Sequence, residues 1–260
     1  MAQIGHGYGS EFQLLRFMGH HRDLLEKLIS EKIGEGTYHW LDFGFEKDPM
    51  SSISGDKELK GLSFLKTTNP EKFEEINNKY KKALPISSAE TWQNWDAVFT
   101  HNGTIYLVEA KAHTSELRSG KNNGGKTKET KEAIKAFMKN QLPEDYKVGD
   151  AWLQYYYQLA NRLATVAFLN NNGIKARILY IYFTNGYRKK LVIRPRRKEK
   201  IIEVDNLNAS EEQFRKAICK EQKTLGIDQI DTSEYLASPI FIDAEYDYDR
   251  LLPEFCRMCD

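Results

Sequence analysis

Cysteine is scarce in this chain. Three cysteines in 260 residues, an odd number without framework spacing, exclude a disulfide-stapled secreted scaffold and agree with a reducing compartment. Cys256 and Cys259 form a C-x-x-C pair. A structural zinc site needs a second pair of Cys or His ligands, however, and none stands at a suitable spacing, so the pair reads as two thiols on a terminal helix. Long apolar runs are also missing: none approaches the roughly 18 to 20 residues that span a bilayer. Met1 to Gly7 lack the basic and apolar regions of a signal peptide, which predicts a cytoplasmic protein with no membrane partner. Seven prolines are too few for a proline-rich linker, no internal repeat is visible, and a net charge of +1 excludes a chain that is basic throughout.

What is present is the composition of an ordinary globular protein, 40% hydrophobic and 29% charged. The length suits one large domain with a substantial core. The charge is unevenly placed. Arg188, Lys189, Lys190, Arg194, Arg196, Arg197, Lys198 and Lys200 crowd one segment against a single acid, Glu199, and a second basic stretch runs from Arg118 to Lys139. Acids gather instead between Asp228 and Glu254. Such polarity can give a nucleic-acid-binding face without a basic pI, although charge runs alone support solvated surfaces equally well.

Apolar periodicity predicts a helix from an N-cap at Ser10 to about Lys32, stopped by Gly34 and Gly36, and then a strand from Trp40 to Phe45. Residues 47 to 63 read as a Ser- and Gly-rich loop. Pro70 sits in the first turn of a helix ending near Lys82, and Pro85 closes that insertion. After a polar loop from Thr114 to Gly125 comes a charged helical pattern from Lys128 to Asn140, then a stronger helix from Ala151 to Leu169 with Gln154, Gln158 and Asn161 on its polar side. Arg177 to Thr184 reads as a central strand with Leu191 to Ile193 as its neighbour. A helix near Glu211 to Leu225, a strand from Ile240 to Ile242 and a last helix from Tyr246 to Met258 complete the reading. The order predicts an α/β (α+β) fold, a mixed central β-sheet flanked by helices.

The richest stretch is Asn94-Trp95-Asp96-Ala97-Val98-Phe99, a turn at His101-Asn102-Gly103-Thr104, and Ile105-Tyr106-Leu107-Val108-Glu109-Ala110-Lys111. Asn-Gly between two apolar runs is the strongest short-range hairpin signal, because a type I′ turn needs positive φ at both central positions. That turn sets His101 opposite Thr104, Val98 opposite Leu107 and Asp96 opposite Glu109. Lys111 shares the face of Glu109, while Val108 and Ala110 point the other way. Opposed like charges in a sheet need compensation. A divalent cation with an ammonium alongside supplies it, and such a site makes nucleophiles at neutral pH.

Asp96, then twelve intervening residues, then Glu109-Ala110-Lys111 at the end of an apolar strand, resembles the D…(D/E)xK signature of the PD-(D/E)XK nuclease superfamily, with Trp95 where the proline usually stands. The element order from about residue 10 to 195 also fits that family's αβββαβ core. The resemblance implies a restriction-endonuclease-like domain over 1–260, with an insertion at about 47–90 and a C-terminal extension at about 205–260. It implies phosphodiester hydrolysis with Mg²⁺ or Mn²⁺. Asp96, Glu109 and the Ala110 backbone carbonyl would be metal ligands, and Lys111 would orient the attacking water. Many members add an acid from the first helix, here Glu11 in preference to Glu26. Gln158 resembles the glutamine of RecB-like branches, whose tyrosine four residues later is replaced by Arg162. The implied partner is nucleic acid, DNA ahead of RNA, with a homodimer allowed. His113 extends the same face as a strand-end residue within reach of a phosphate; adjacent His20 and His21 receive no role.

Two other readings remain. The same fold could bind nucleic acid without doing chemistry. Gly120 to Thr127 also matches G-x-x-x-x-G-K-[ST], the phosphate loop of nucleotide hydrolases. Polar residues from His113 to Ser119 separate it from its strand, and a strand ending in a magnesium-binding aspartate is lacking, Ile201 to Asp205 being the nearest.

Overall fold

The structure, a computed structural model, describes residues 9–41, 59–83, 93–118, 132, 134, 136–138, 149, 151–186, 188–194, 199–205 and 209–244. The C-x-x-C pair, the phosphate-loop match and the expected last helix lie outside these residues.

Two helices open the fold, α1 (Ser10–His20) and α2 (Arg22–Ile33). The single helix expected from Ser10 is thus broken at His21, whose backbone (φ −135°, ψ 34°) leaves the helical region. The break lets each half bury its own stripe, Leu14, Phe17 and Met18 in α1, Leu25 and Ile29 in α2. Ser10 is not the cap: Gly9 takes that position at φ 99°, and the Ser10 hydroxyl donates instead to Glu116 Oε2 at 2.8 Å.

The central sheet has five strands in the order β1 (His39–Trp40), β4 (Ala97–His101), β5 (Thr104–Lys111), β6 (Ala176–Thr184) and β9 (Ile240–Asp243). The first three are antiparallel, and β6 and β9 join in parallel. The fold is therefore mixed α and β, a mixed sheet flanked by helices. The β4–β5 turn follows its sequence signal, with Asn102 at φ 48° and Gly103 at φ 72°. Every ladder pair from His101↔Thr104 to Ala97↔Val108 has the expected register.

The described part of the segment read as an insertion, residues 59–83, packs onto the sheet. Its strand β2 (Leu59–Lys60) pairs with β3 (Asn94–Trp95). Beyond it come α3 (Leu65–Thr68) and α4 (Pro70–Ala83), and Leu62, Phe64, Leu65, Ile76 and Tyr80 enter the core over the sheet. The helix expected over Ala151 to Leu169 is two, α5 (Ala151–Gln154) and α6 (Tyr157–Asn171), separated at Tyr155 and Tyr156. Leu191 to Ile193 lie in β7 (Arg188–Arg194), which is not a neighbour of β6 as the sequence suggested. Among the described residues it pairs only with β8 (Glu199–Asp205), because β5 and β9 already occupy both sides of β6. α7 (Glu211–Leu225) opens with a Ser210/Gln213 capping box and closes on Gly226 at φ 66°.

Two cores result. On one face Ala97, Phe99, Val108, Ala110, Leu179, Ile181 and Phe183 meet α1 and α2. On the other, Val98, Leu107 and Ile178 meet α6 and the segment around α4. No helix among the described residues is long and apolar enough to cross a membrane.

Candidate active site

Alternation along β5 sends Val108 and Ala110 into the first core and Glu109 and Lys111 to the second face. Both charges are buried there, Glu109 1% and Lys111 6% exposed. Buried charges persist only when paired, and the pairing is explicit. Lys111 Nζ donates to Glu109 Oε2 at 3.2 Å. On the other side, Nε and Nη2 of Arg162 both lie 2.6 Å from Glu109 Oε1. Arg162 Nη2 also donates to the Asn94 carbonyl at 2.9 Å, and the guanidinium sits 5.3 Å from the centre of the Trp95 ring. Arg162 is itself 7% exposed.

Asp96 departs from the expected geometry. The ladder ends at Ala97↔Val108, yet the Asp96 N–H still donates to the Val108 carbonyl at 3.2 Å. Two residues thus face one, the arrangement of a β-bulge, and the Asp96/Glu109 Cα pair is not formed. The bulge turns Asp96 so that its Oδ2 accepts from the Ala110 N–H at 2.8 Å. Asp96 still shares an electrostatic environment with Glu109, Lys111 and Arg162. Burial first and the Glu109 charge second push its carboxyl up to about 7, against Lys111, the Ala110 N–H and Arg162. Burial would lower the Lys111 ammonium, but the Glu109 and Asp96 charges outweigh it and hold it above its ordinary value. Arg162 is likewise raised, Glu109 outweighing its burial.

These residues therefore form one cluster where β3, β4 and β5 meet, roofed by α6. Its hard oxygens suit Mg²⁺ or Mn²⁺. Asp96 uses one oxygen, Oδ2, on the Ala110 N–H and keeps acceptor capacity at the other. Glu109 keeps acceptor capacity at Oε2 beyond its bond to Lys111. Among the described residues no group of three or more His, Cys, Asp or Glu gathers to hold a metal. Two carboxylates suffice for Mg²⁺, which fills its remaining positions with water and substrate phosphate.

The other expected residues are placed less centrally. Glu11 lies in the first turn of α1, in the helical layer covering the opposite face. The acid tied to that helix start is Glu116, which accepts from Ser10 and from the Ala112 N–H at 3.3 Å and adds to the rise of Lys111. Glu26 accepts from the Trp40 indole at 2.9 Å. Gln158 is half-buried in the first turn of α6, one turn before Arg162. His113 caps the short 3₁₀ turn Thr114–Leu117, its Nδ1 accepting from the Ser115 N–H at 3.0 Å.

Sequence reasoning treated Arg162 only as a departure from a family pattern. The available signal was its phase: Leu159, Arg162, Val166 and Leu169 recur at helical spacing, so a charge occupies a core position. Glu221 was missed in the same way. It is 4% exposed and shares its face of α7 with Phe214 and Leu225. Burial pushes its carboxyl up to about 8, opposed by Lys111. No family model, no curated protein and no solved structure matches this chain.

Proposed function

We propose that this protein is a Mg²⁺- or Mn²⁺-dependent nuclease of the PD-(D/E)XK type, with a restriction-endonuclease-like core, hydrolysing phosphodiester bonds of DNA. The observation that carries the reading is a buried Glu109–Lys111 pair beside a bulged, part-buried Asp96. Asp96 and Glu109 would hold the ion, with the Ala110 carbonyl adjoining. When bound, such an ion makes a coordinated water acidic and offsets charge on the scissile phosphate.

The chain's own groups do the rest. Lys111 stays protonated between the two carboxylates, and its ammonium can orient the attacking water and balance charge building on a phosphoryl oxygen. Arg162 grips Glu109 Oε1 and the Asn94 carbonyl together, fixing the direction of Oε2. The two-stranded ribbon of β7 and β8 carries Arg188, Lys189, Lys190, Arg194 and Lys200 by sequence, and the DNA major groove admits such a ribbon.

The test is a cleavage assay in Mg²⁺ and Mn²⁺ on linear, circular and single-stranded DNA and on RNA, with Asp96→Asn and Lys111→Ala beside the wild type. Cleavage of DNA should fall by at least about 100-fold in both variants while their circular dichroism stays native. Undiminished cleavage by both sinks the assignment.

One observation favours a second reading. Glu109 is already paired with two cations, as a purely structural buried network requires. The protein would then bind nucleic acid without cutting it; salt-dependent DNA retention with no turnover in either metal selects that reading.

A further inference from the structure

Arg162 reaches the charged cluster from a seat that other residues build. Besides Glu109 it meets the Asn94 carbonyl at 2.9 Å and the ring of Trp95. Both contacts belong to the short stretch 93–95, which is held from the segment that the sequence placed in an insertion. The Gly61 N–H donates to the Gln93 carbonyl at 2.8 Å, and the Trp95 indole donates back to the Gly61 carbonyl at 2.8 Å. Gly61 stands at φ 55°, where a side chain would be strained.

A closed set of side-chain bonds completes the hold. Gln93 Nε2 donates to the Tyr80 hydroxyl at 2.8 Å and to Thr165 Oγ1 at 2.9 Å, and the two hydroxyls lie 2.7 Å apart. Thr165 gives its own proton to the Asn161 carbonyl at 2.8 Å, so the Tyr80 hydroxyl is the donor between them. Tyr80 and Thr165 are fully buried, and Gln93 is 5% exposed. Thr165 lies one turn beyond Arg162 on α6, and Asn161 immediately precedes it. The triangle therefore ties α4, the approach to β3 and the Arg162 turn of α6 to one another. Apolar side chains would hold three elements together as well. Directional bonds additionally specify one placement of each against the others.

We propose that Tyr80 and Gln93 are positioning residues: they fix the Asn94 carbonyl against Arg162, and so set the direction in which Arg162 holds the Glu109 carboxylate towards a divalent cation. The cation rests on the nuclease reading; the seating of Arg162 does not. The segment around α4 thereby acts on the charged cluster at second hand.

The experiment uses the full-length protein and two variants. Tyr80→Phe keeps the ring packed on Phe137 and Phe168. Gln93→Met deletes an amide whose Oε1 is buried and has no partner among the described residues. Both changes nearly conserve volume, so both proteins should fold. Hydrogen exchange of the Arg162 Nε–H, followed by NMR, should quicken about 10-fold relative to the backbone amides of β6, which report global stability. Calorimetric titration with Mn²⁺ should give a dissociation constant raised about 10-fold in each variant. Folded variants in which the Arg162 Nε–H and the β6 amides change together, or not at all, overturn the proposal, because a purely structural network behaves in that way. Wild-type affinity for Mn²⁺ in variants whose Arg162 is loosened overturns it too. A wild type that binds no Mn²⁺, with Arg162 still loosened in the variants, upholds the seating and rejects the metal site alone.

Discussion

The two faces of β5 differ sharply in what covers them. Val108 and Ala110 face α1 and α2 in a core whose buried members are apolar. Glu109 and Lys111, one residue along in each case, face Arg162, Asp96, Tyr180 and Tyr182. All four of these β5 residues are buried, so the contrast is not one of exposure. One face is held by area removed from water, the other by charges that tolerate burial only because each is answered. The first kind of core yields gradually to substitution. The second is brittle, since removing one partner strands the others.

Breaking the charged face should cost most. Glu109→Ala leaves Arg162 and Lys111 buried without their shared anion, and a loss of about 3–5 kcal/mol is expected from urea unfolding. A midpoint within error of wild type would mean that the cluster is solvated and the contrast false. On the apolar face Leu179→Ala should cost about 2–5 kcal/mol by leaving a cavity. Activity per folded molecule should remain at wild-type level, and a specific loss of cleavage would show that the face is not merely structural.

Asp96→Asn sharpens the comparison through pH. The folded pKa of Asp96, about 7, stands above its ordinary value of 3.8. The stabilisation from its protonated form is therefore complete below pH 3.8 and lost as pH rises through about 7. The unfolding midpoint should fall less steeply from pH 4 to 7 in Asp96→Asn than in wild type, and Mg²⁺ should flatten the wild-type curve likewise. Identical slopes in the two proteins would contradict a carboxyl raised by burial and by the Glu109 charge. The smallest effect belongs to solvent. Glu212→Ala breaks an exposed i,i+4 pair with Lys216 on α7 and should change stability by no more than about 0.5 kcal/mol in the same urea titration.

What the sequence made legible was local. Asn102-Gly103 specified its turn and hence the register through Ala97↔Val108, because the chemistry of that turn lies within two residues. α7 was readable from its phase, and β6 from its unbroken apolar run. Failures began where a distant partner decides. Asp96 slips out of the ladder, its N–H donating to the Val108 carbonyl while its side chain accepts from the Ala110 N–H. Arg162 turns inward because α6 restarts at Tyr157, a break with no proline or glycine to announce it. β7 took β8 instead of β6 since strand neighbours are chosen by which edge is vacant. Of the acids proposed for the site, Glu109 could be placed from the turn outward, whereas Glu11 depended on how a whole helix lies on the sheet.

The tight turn at Asn102 and Gly103 also bears on the order of assembly. A hairpin closed by two residues forms in about 1–10 µs, whereas β6 and α6 must return across all the chain after Lys111. Asp96, which immediately precedes β4, and Glu109 of β5 therefore meet while still hydrated, and Arg162 arrives after them. Dehydration of the cluster falls late, on the native side of the folding barrier. Disturbing the Glu109–Arg162 pair should accordingly steepen escape from the native state more than it slows entry, a change visible in the unfolding arm of a chevron and not in the folding arm. The protein would owe its lifetime, as distinct from its speed of folding, to the last ion pair it makes.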